Sequence, residues 1–142
     1  MKKRFSFLSL FIILMACSGS DDGIRNNPNL ANLNFRIQLN LNLPEYNNLQ
    51  FAGNSFTTFN NGLKGIVIYN INNTQYAAFE LSDPNHPPNS CSAMSVSGVI
   101  ATCACENNKY NIATGQQTEG AGQYTMKPYR IEKIGNILEI SN

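Results

Sequence analysis

The plainest order in the chain is an alternation. From Phe35 to Leu43, in FRIQLNLNL, apolar and polar residues change places without a break. A side-chain period of two puts Ile37, Leu39 and Leu41 on one face and Arg36, Gln38 and Asn40 on the other, so the segment predicts a half-buried strand. Pro44 ends it, because proline brings no amide donor. Tyr46 to Gly62 reads as a long loop carrying Phe51, Phe56 and Phe59 as buried aromatic candidates. Gly65-Ile66-Val67-Ile68-Tyr69 is β-branched and bounded by turn residues, which predicts a second strand. Asn72-Asn73 suits a hairpin turn, and Gln75 to Leu81 returns as a strand.

A loop from Ser82 to Ala93 follows, with three prolines and the only histidine, His86. Met94 to Thr102 reads as two short strands turned at Ser97-Gly98, and Lys109 to Ile112 as another. Tyr124 to Ile134 pairs with Ile137 to Ile140 across Gly135-Asn136, and Pro128 marks an edge or a bulge within it. No stretch carries a helical period, and no internal repeat is visible. The predicted fold class is all-β, a sandwich or small barrel of many short strands.

The amino-terminal residues break this pattern. Lys2, Lys3 and Arg4 precede an apolar run from Phe5 to Met15, too short to span a bilayer as a helix. The run ends in Leu14-Met15-Ala16-Cys17, which looks like a bacterial lipobox. Residues 1–16 are therefore read as a lipoprotein signal peptide, with Cys17 as the lipidated residue. Acyl chains on Cys17 would anchor the protein at about 0.8 kcal/mol per buried methylene. Ser18 to Gly23 is small and acidic and resembles the export tag of surface lipoproteins of the Bacteroidetes. Residues 17–34 as a whole read as a flexible tether, and 35–142 as the domain. The expected address is the cell envelope, as an outer-membrane lipoprotein exposed at the surface or facing the periplasm.

Charge narrows the partners. Removing Lys2, Lys3 and Arg4 from the ten basic residues leaves seven against nine acidic ones, a net formal charge of −2. That balance offers no footprint for nucleic acid. The expected partners are the membrane, through Cys17, and an envelope protein of unknown identity.

The chemistry is concentrated between Asp83 and Thr114: DPNHPPNSC, eleven residues, then CACENNKYNIAT. Tyr76 to Leu81 leads into Asp83-Pro84-Asn85-His86. Cys103-Ala104-Cys105-Glu106 is followed by Lys109-Tyr110, an Ala113-Thr114-Gly115 turn, a small-residue loop at Gly120-Ala121-Gly122 and a closing hairpin. In order and spacing this resembles a Rieske iron–sulfur domain from about Gly65 to the carboxyl terminus. The likeness is nearer to Rieske-like lipoproteins of Bacteroidetes than to respiratory or dioxygenase members. It implies a Rieske-like small β-sandwich or barrel with a two-loop cluster-binding subdomain.

A Rieske centre takes a Cys and a His from each of two loops. By the resemblance, His86 and Cys103 stand at retained ligand positions. Asp83 and Glu106 stand at replaced ones. The first pair also reads D-x-x-H where the family has C-x-H. Two hard oxygen donors in place of soft ones predict a scaffold that has lost its cluster, with no cofactor. Any metal retained would fall on His86 and Cys103. The resemblance also implies a disulfide between Cys91 and Cys105, each an extra cysteine of one loop. The rival pairing, Cys103–Cys105, closes a tight ring. Either one leaves a thiol over.

The expected function is a non-enzymatic binding, structural or accessory role, with no catalytic residue assigned. Two alternatives stay open at this point. One is electron transfer through a [2Fe–2S] cluster with an unusual ligand set. The other is thiol–disulfide chemistry at Cys103-Ala104-Cys105. The same residues also allow a Cys₃His zinc or iron set of His86, Cys91, Cys103 and Cys105.

Overall fold

A computed structural model describes residues 27–142. Residues 1–16, read from sequence as a signal peptide, Cys17 and the first part of the expected tether lie outside the described residues. Ten strands follow one another: β1 (Arg36–Asn40), β2 (Ser55–Thr58), β3 (Ile66–Asn70), β4 (Tyr76–Glu80), β5 (Met94–Ser97), β6 (Ile100–Cys103), β7 (Lys109–Asn111), β8 (Gln117–Glu119), β9 (Arg130–Ile134) and β10 (Ile137–Ser141). They form three antiparallel sheets, ordered β1-β10-β9, β2-β3-β4 and β5-β6-β7-β8. A short 3-10 helix, Pro44–Gln50, joins β1 towards β2.

The middle sheet explains the architecture. On β3, Ile66 and Ile68 enter one core with Leu39, Leu41, Leu49, Leu138 and Ile140. Val67, between them, points the other way into a second core with Phe79, Leu81, Met94, Ala101, Tyr110 and Ile112. β4 does the same: Ala78 joins the first core, and Phe79 the second. A strand covered on both faces reads as a continuous apolar run, which is why GIVIY lacks alternation while FRIQLNLNL has it. The third sheet is built on the second core. The loops that hold the candidate site gather at its end.

The predicted hairpins form. β3 and β4 pair from Ile66↔Glu80 to Asn70↔Tyr76 around Asn73, whose φ is 69°. β9 and β10 pair with Ile134 opposite Ile137 around Gly135, whose φ of 61° suits a residue without Cβ. The segment before β9 is not strand, but Pro128 makes an isolated bridge to Phe79.

Three expectations need correcting. Tyr46 to Gly62 is not all loop: it holds the end of the 3-10 helix and β2. Phe51 and Phe59 are exposed, at 57% and 70%. Only Phe56 is packed, edge-on against Tyr46 at 5.0 Å between ring centres. And residues 27–33, read from sequence as tether, are tied to the domain. The Asn27 and Asn29 amides donate to the Pro84 carbonyl at 2.8 and 3.0 Å. The Lys127 ammonium donates to the Ala31 carbonyl and the Asn32 side chain at 3.1 and 2.7 Å, and Asn142 to the Leu33 carbonyl. A polar segment with no apolar period can still dock when the domain offers it buried donors and carbonyls.

Candidate functional site

Three loops meet at one end of the third sheet. The first runs from Ser82 to Ala93, whose ends bridge. The second is the β6–β7 turn, Ala104 to Asn108, closed by backbone bonds from Asn107 to Cys103 and from Cys103 to Asn108. The third leads from β8 through Gly120-Ala121-Gly122 to Met126.

Asp83 lies at the bottom, fully buried. Its Oδ1 accepts from the Tyr110 hydroxyl at 2.6 Å and from the Asn85 amide at 2.9 Å. Its Oδ2 accepts from the Asn108 side chain at 2.9 Å. Burial pushes the Asp83 carboxyl up. The hydrogen bonds from Tyr110, Asn85 and Asn108 outweigh it and hold the carboxyl below its ordinary value. The same contact works in reverse on the donor: burial, then Asp83, push the Tyr110 phenol well above its usual range.

Asn85 is the clasp between loops. Its Nδ2 donates to the Tyr110 hydroxyl at 2.9 Å and to the Tyr124 carbonyl at 2.8 Å. Its Oδ1 accepts from the amides of Gln123 and Tyr124, both at 3.0 Å. Both donors and both acceptor lobes of the amide are used. The third loop can come this close only because its residues are small. A Cβ on Gly122 would lie 2.2 Å from Asn85 Cγ, and one on Gly120 would lie 2.1 Å from Asn108 Oδ1.

Above this polar floor sits the disulfide. Cys91 and Cys105 are bonded, with Cα atoms 5.4 Å apart, joining the first loop to the second. Asn89 shapes the first loop beneath it, accepting from the amides of Cys91 and Ser92. His86 leans over the bridge. Its Nδ1 is 2.7 Å from the Pro87 carbonyl, and its Nε2 is 4.0 Å from Glu106 Oε1. Glu106 itself is half exposed and loosely held by Asn108 at 3.4 Å.

Cys103 is the free cysteine, fully buried in the second core. Its thiol points towards the Cys91 carbonyl at 3.8 Å. Burial first, and then Asp83, push that thiol up, so it stays protonated. Cys103 and Cys105 are not a redox pair here, because Cys105 is bonded to Cys91. Nor do the four residues of a Cys₃His set converge. Among the described residues, the group of metal-ligating side chains lying within 4.8 Å of one another is His86, Cys91 and Cys105, without Cys103. The predicted residues thus divide into a buried pair, Asp83 with Cys103, and an outer group of His86, Glu106 and the disulfide.

No protein-family model and no curated protein matches the sequence. Solved structures do. A chain of the complex of reduced oxygenase and oxidized ferredoxin in carbazole 1,9a-dioxygenase superposes with a TM-score of 0.50 at 14% identity, covering 78% of this chain and 94% of that one. The apo form of a quaternary ammonium Rieske monooxygenase gives 0.51 at 13% identity, covering 82% of this chain but only 35% of that one. The ferredoxin of carbazole 1,9a-dioxygenase from Nocardioides aromaticivorans IC177 gives 0.49 at 10% identity, covering 77% and 97%. The fold is Rieske-like.

Within the first loop, the side chain turned towards the floor is that of Asn85. His86, one residue on, turns towards the disulfide instead, its side chain 15% exposed. The sequence reading passed over Asn85, Asn108 and Tyr110, which make the floor. An amide has no titratable signature by which the sequence could mark it. A second buried carboxylate was also passed over. Glu80 accepts from the amides of Leu63, Lys64 and Ser82 and from the Tyr129 hydroxyl, at 2.6 to 2.8 Å.

Proposed function

We propose that this chain is a lipid-anchored cell-envelope protein whose Rieske-like domain holds no iron–sulfur cluster and serves a non-enzymatic binding or accessory role. Asp83 carries the proposal. By the resemblance it stands where a cluster thiolate is expected, and both of its oxygens are engaged by protein donors. A carboxylate is a hard ligand where iron–sulfur chemistry needs a soft one. The other positions agree with it. Asn85 is committed to the third loop, the Cys103 thiol is buried and protonated, and Glu106 is a second oxygen donor. Cys91 and Cys105 have spent their sulfurs on each other. This donor set does not fit a [2Fe–2S] cluster.

What the site does well is brace three loops into one rigid end. Such an end suits contact with a partner protein, because preorganised loops lose less freedom on binding. The anchor is proposed at Cys17, on the strength of the lipobox, and would hold the domain at the outer membrane.

Two measurements test these halves. Protein matured in its own envelope should be colourless, and a red-brown product with Rieske-like visible absorption would refute the loss of the cluster. Cells fed a labelled fatty acid should label the wild type and not Cys17→Ala; equal labelling would refute the anchor.

A further inference from the structure

The outer group has a chemistry that the polar floor lacks. A ring nitrogen of His86 and the sulfurs of Cys91 and Cys105 all lie within 4.8 Å of one another. The edges of a tetrahedral zinc site are about 3.8 Å for two sulfurs, given a Zn–S length of about 2.3 Å. The three side chains are therefore already within a small rearrangement of that geometry. Oxidised, the two sulfurs are spent on the bridge.

His86 is set up as a ligand. Its Nδ1 faces the Pro87 carbonyl at 2.7 Å. A carbonyl only accepts, so the proton of the neutral ring is on Nδ1 and the lone pair on Nε2. A backbone carbonyl orienting the far nitrogen is the usual outer shell of a metal-bound histidine. Nε2 in turn faces Glu106 Oε1 at 4.0 Å, and that carboxylate is open to solvent.

We infer that reduction of the Cys91–Cys105 disulfide opens a zinc site of His86 Nε2, Cys91, Cys105 and Glu106. A dithiol supplies the two electrons and leaves as its own disulfide. The bridge becomes two thiols, and each gives its proton to solvent as the cation binds. The site meets the floor only through the Asn108–Glu106 contact, so it needs neither Asp83 nor Cys103. It goes beyond the proposed role, and stands whether or not Cys17 carries lipid.

The test uses the full mature chain, oxidised and after dithiothreitol, titrated with zinc alone against a chromophoric competitor. The reduced wild type and reduced Cys103→Ala should each take up one zinc per chain, and the oxidised protein none. His86→Ala should weaken binding at least tenfold. Zinc should also raise the melting temperature of the reduced wild type, because it binds the folded state. Equal uptake by oxidised and reduced protein would overturn the inference, as would an unaltered affinity in His86→Ala. So would loss of zinc in Cys103→Ala, or a reduced protein whose folding zinc does not stabilise.

Discussion

The Tyr110 hydroxyl donates to the Asp83 carboxylate at 2.6 Å, and neither residue reaches solvent. A charge-assisted bond in a dry site contributes more than a surface one. Tyr110→Phe removes this donor and also the acceptor for Asn85 Nδ2. The expected cost is about 1.5–3 kcal/mol. Urea unfolding of the variant checks it, and a change below about 0.5 kcal/mol, the usual level of a surface substitution, would speak against the network.

Asp83 also predicts a dependence on acid. Its folded carboxyl is held below the ordinary value because hydrogen bonds outweigh burial. The unfolded chain therefore binds a proton first as the pH falls. The stabilisation is whole above the unfolded value of about 3.9 and is lost as the pH drops through the lower, folded value. Stability should fall below about pH 4, and Asp83→Asn should lower stability near neutrality while flattening that acid slope. Denaturant midpoints across the acid range decide it; the same slope in both proteins would contradict the assignment.

The disulfide makes a third expectation. Cys91 and Cys105 are 14 positions apart, so the bridge closes a loop of about fifteen residues, for which the chain-entropy relation gives about 3 kcal/mol. The double variant Cys91→Ser with Cys105→Ser should lose roughly that much in equilibrium unfolding. A loss near zero would mean that the floor alone holds the loops together.

The third loop supplies a steric prediction. Gly122→Ala sets a methyl 2.2 Å from Asn85 Cγ, so the clasp has to move. A cost of about 1–3 kcal/mol is expected. Faster hydrogen exchange at the Tyr124 amide, which donates to Asn85, should accompany it. Unchanged exchange there would show that the loop is not held by Asn85.

Much of this fold can be read from the chain, for physical reasons that also mark where reading stops. The alternation in β1, the buried run of β3 and the Asn72-Asn73 and Gly135-Asn136 turns are local patterns, whereas the Cys91–Cys105 pairing is legible only through the family resemblance. β2 and β8 are short strands, of four and three residues, that lack such a pattern. The docked segment from Asn27 to Leu33 is equally silent, because its partners Pro84, Lys127 and Asn142 are far along the chain. In the site, Asp83, His86, Cys103 and Glu106 stand out because they titrate or bind metals. Asn85, which joins the first and third loops, stands out only once its four hydrogen bonds are in view.

The most direct test of the central claim is the iron and acid-labile sulfide content of the chain purified without oxygen from its own envelope. A floor of Asp83, Asn85, Asn108 and Tyr110 in place of a cluster predicts iron and sulfide at background. Two irons and two sulfides per chain would contradict it.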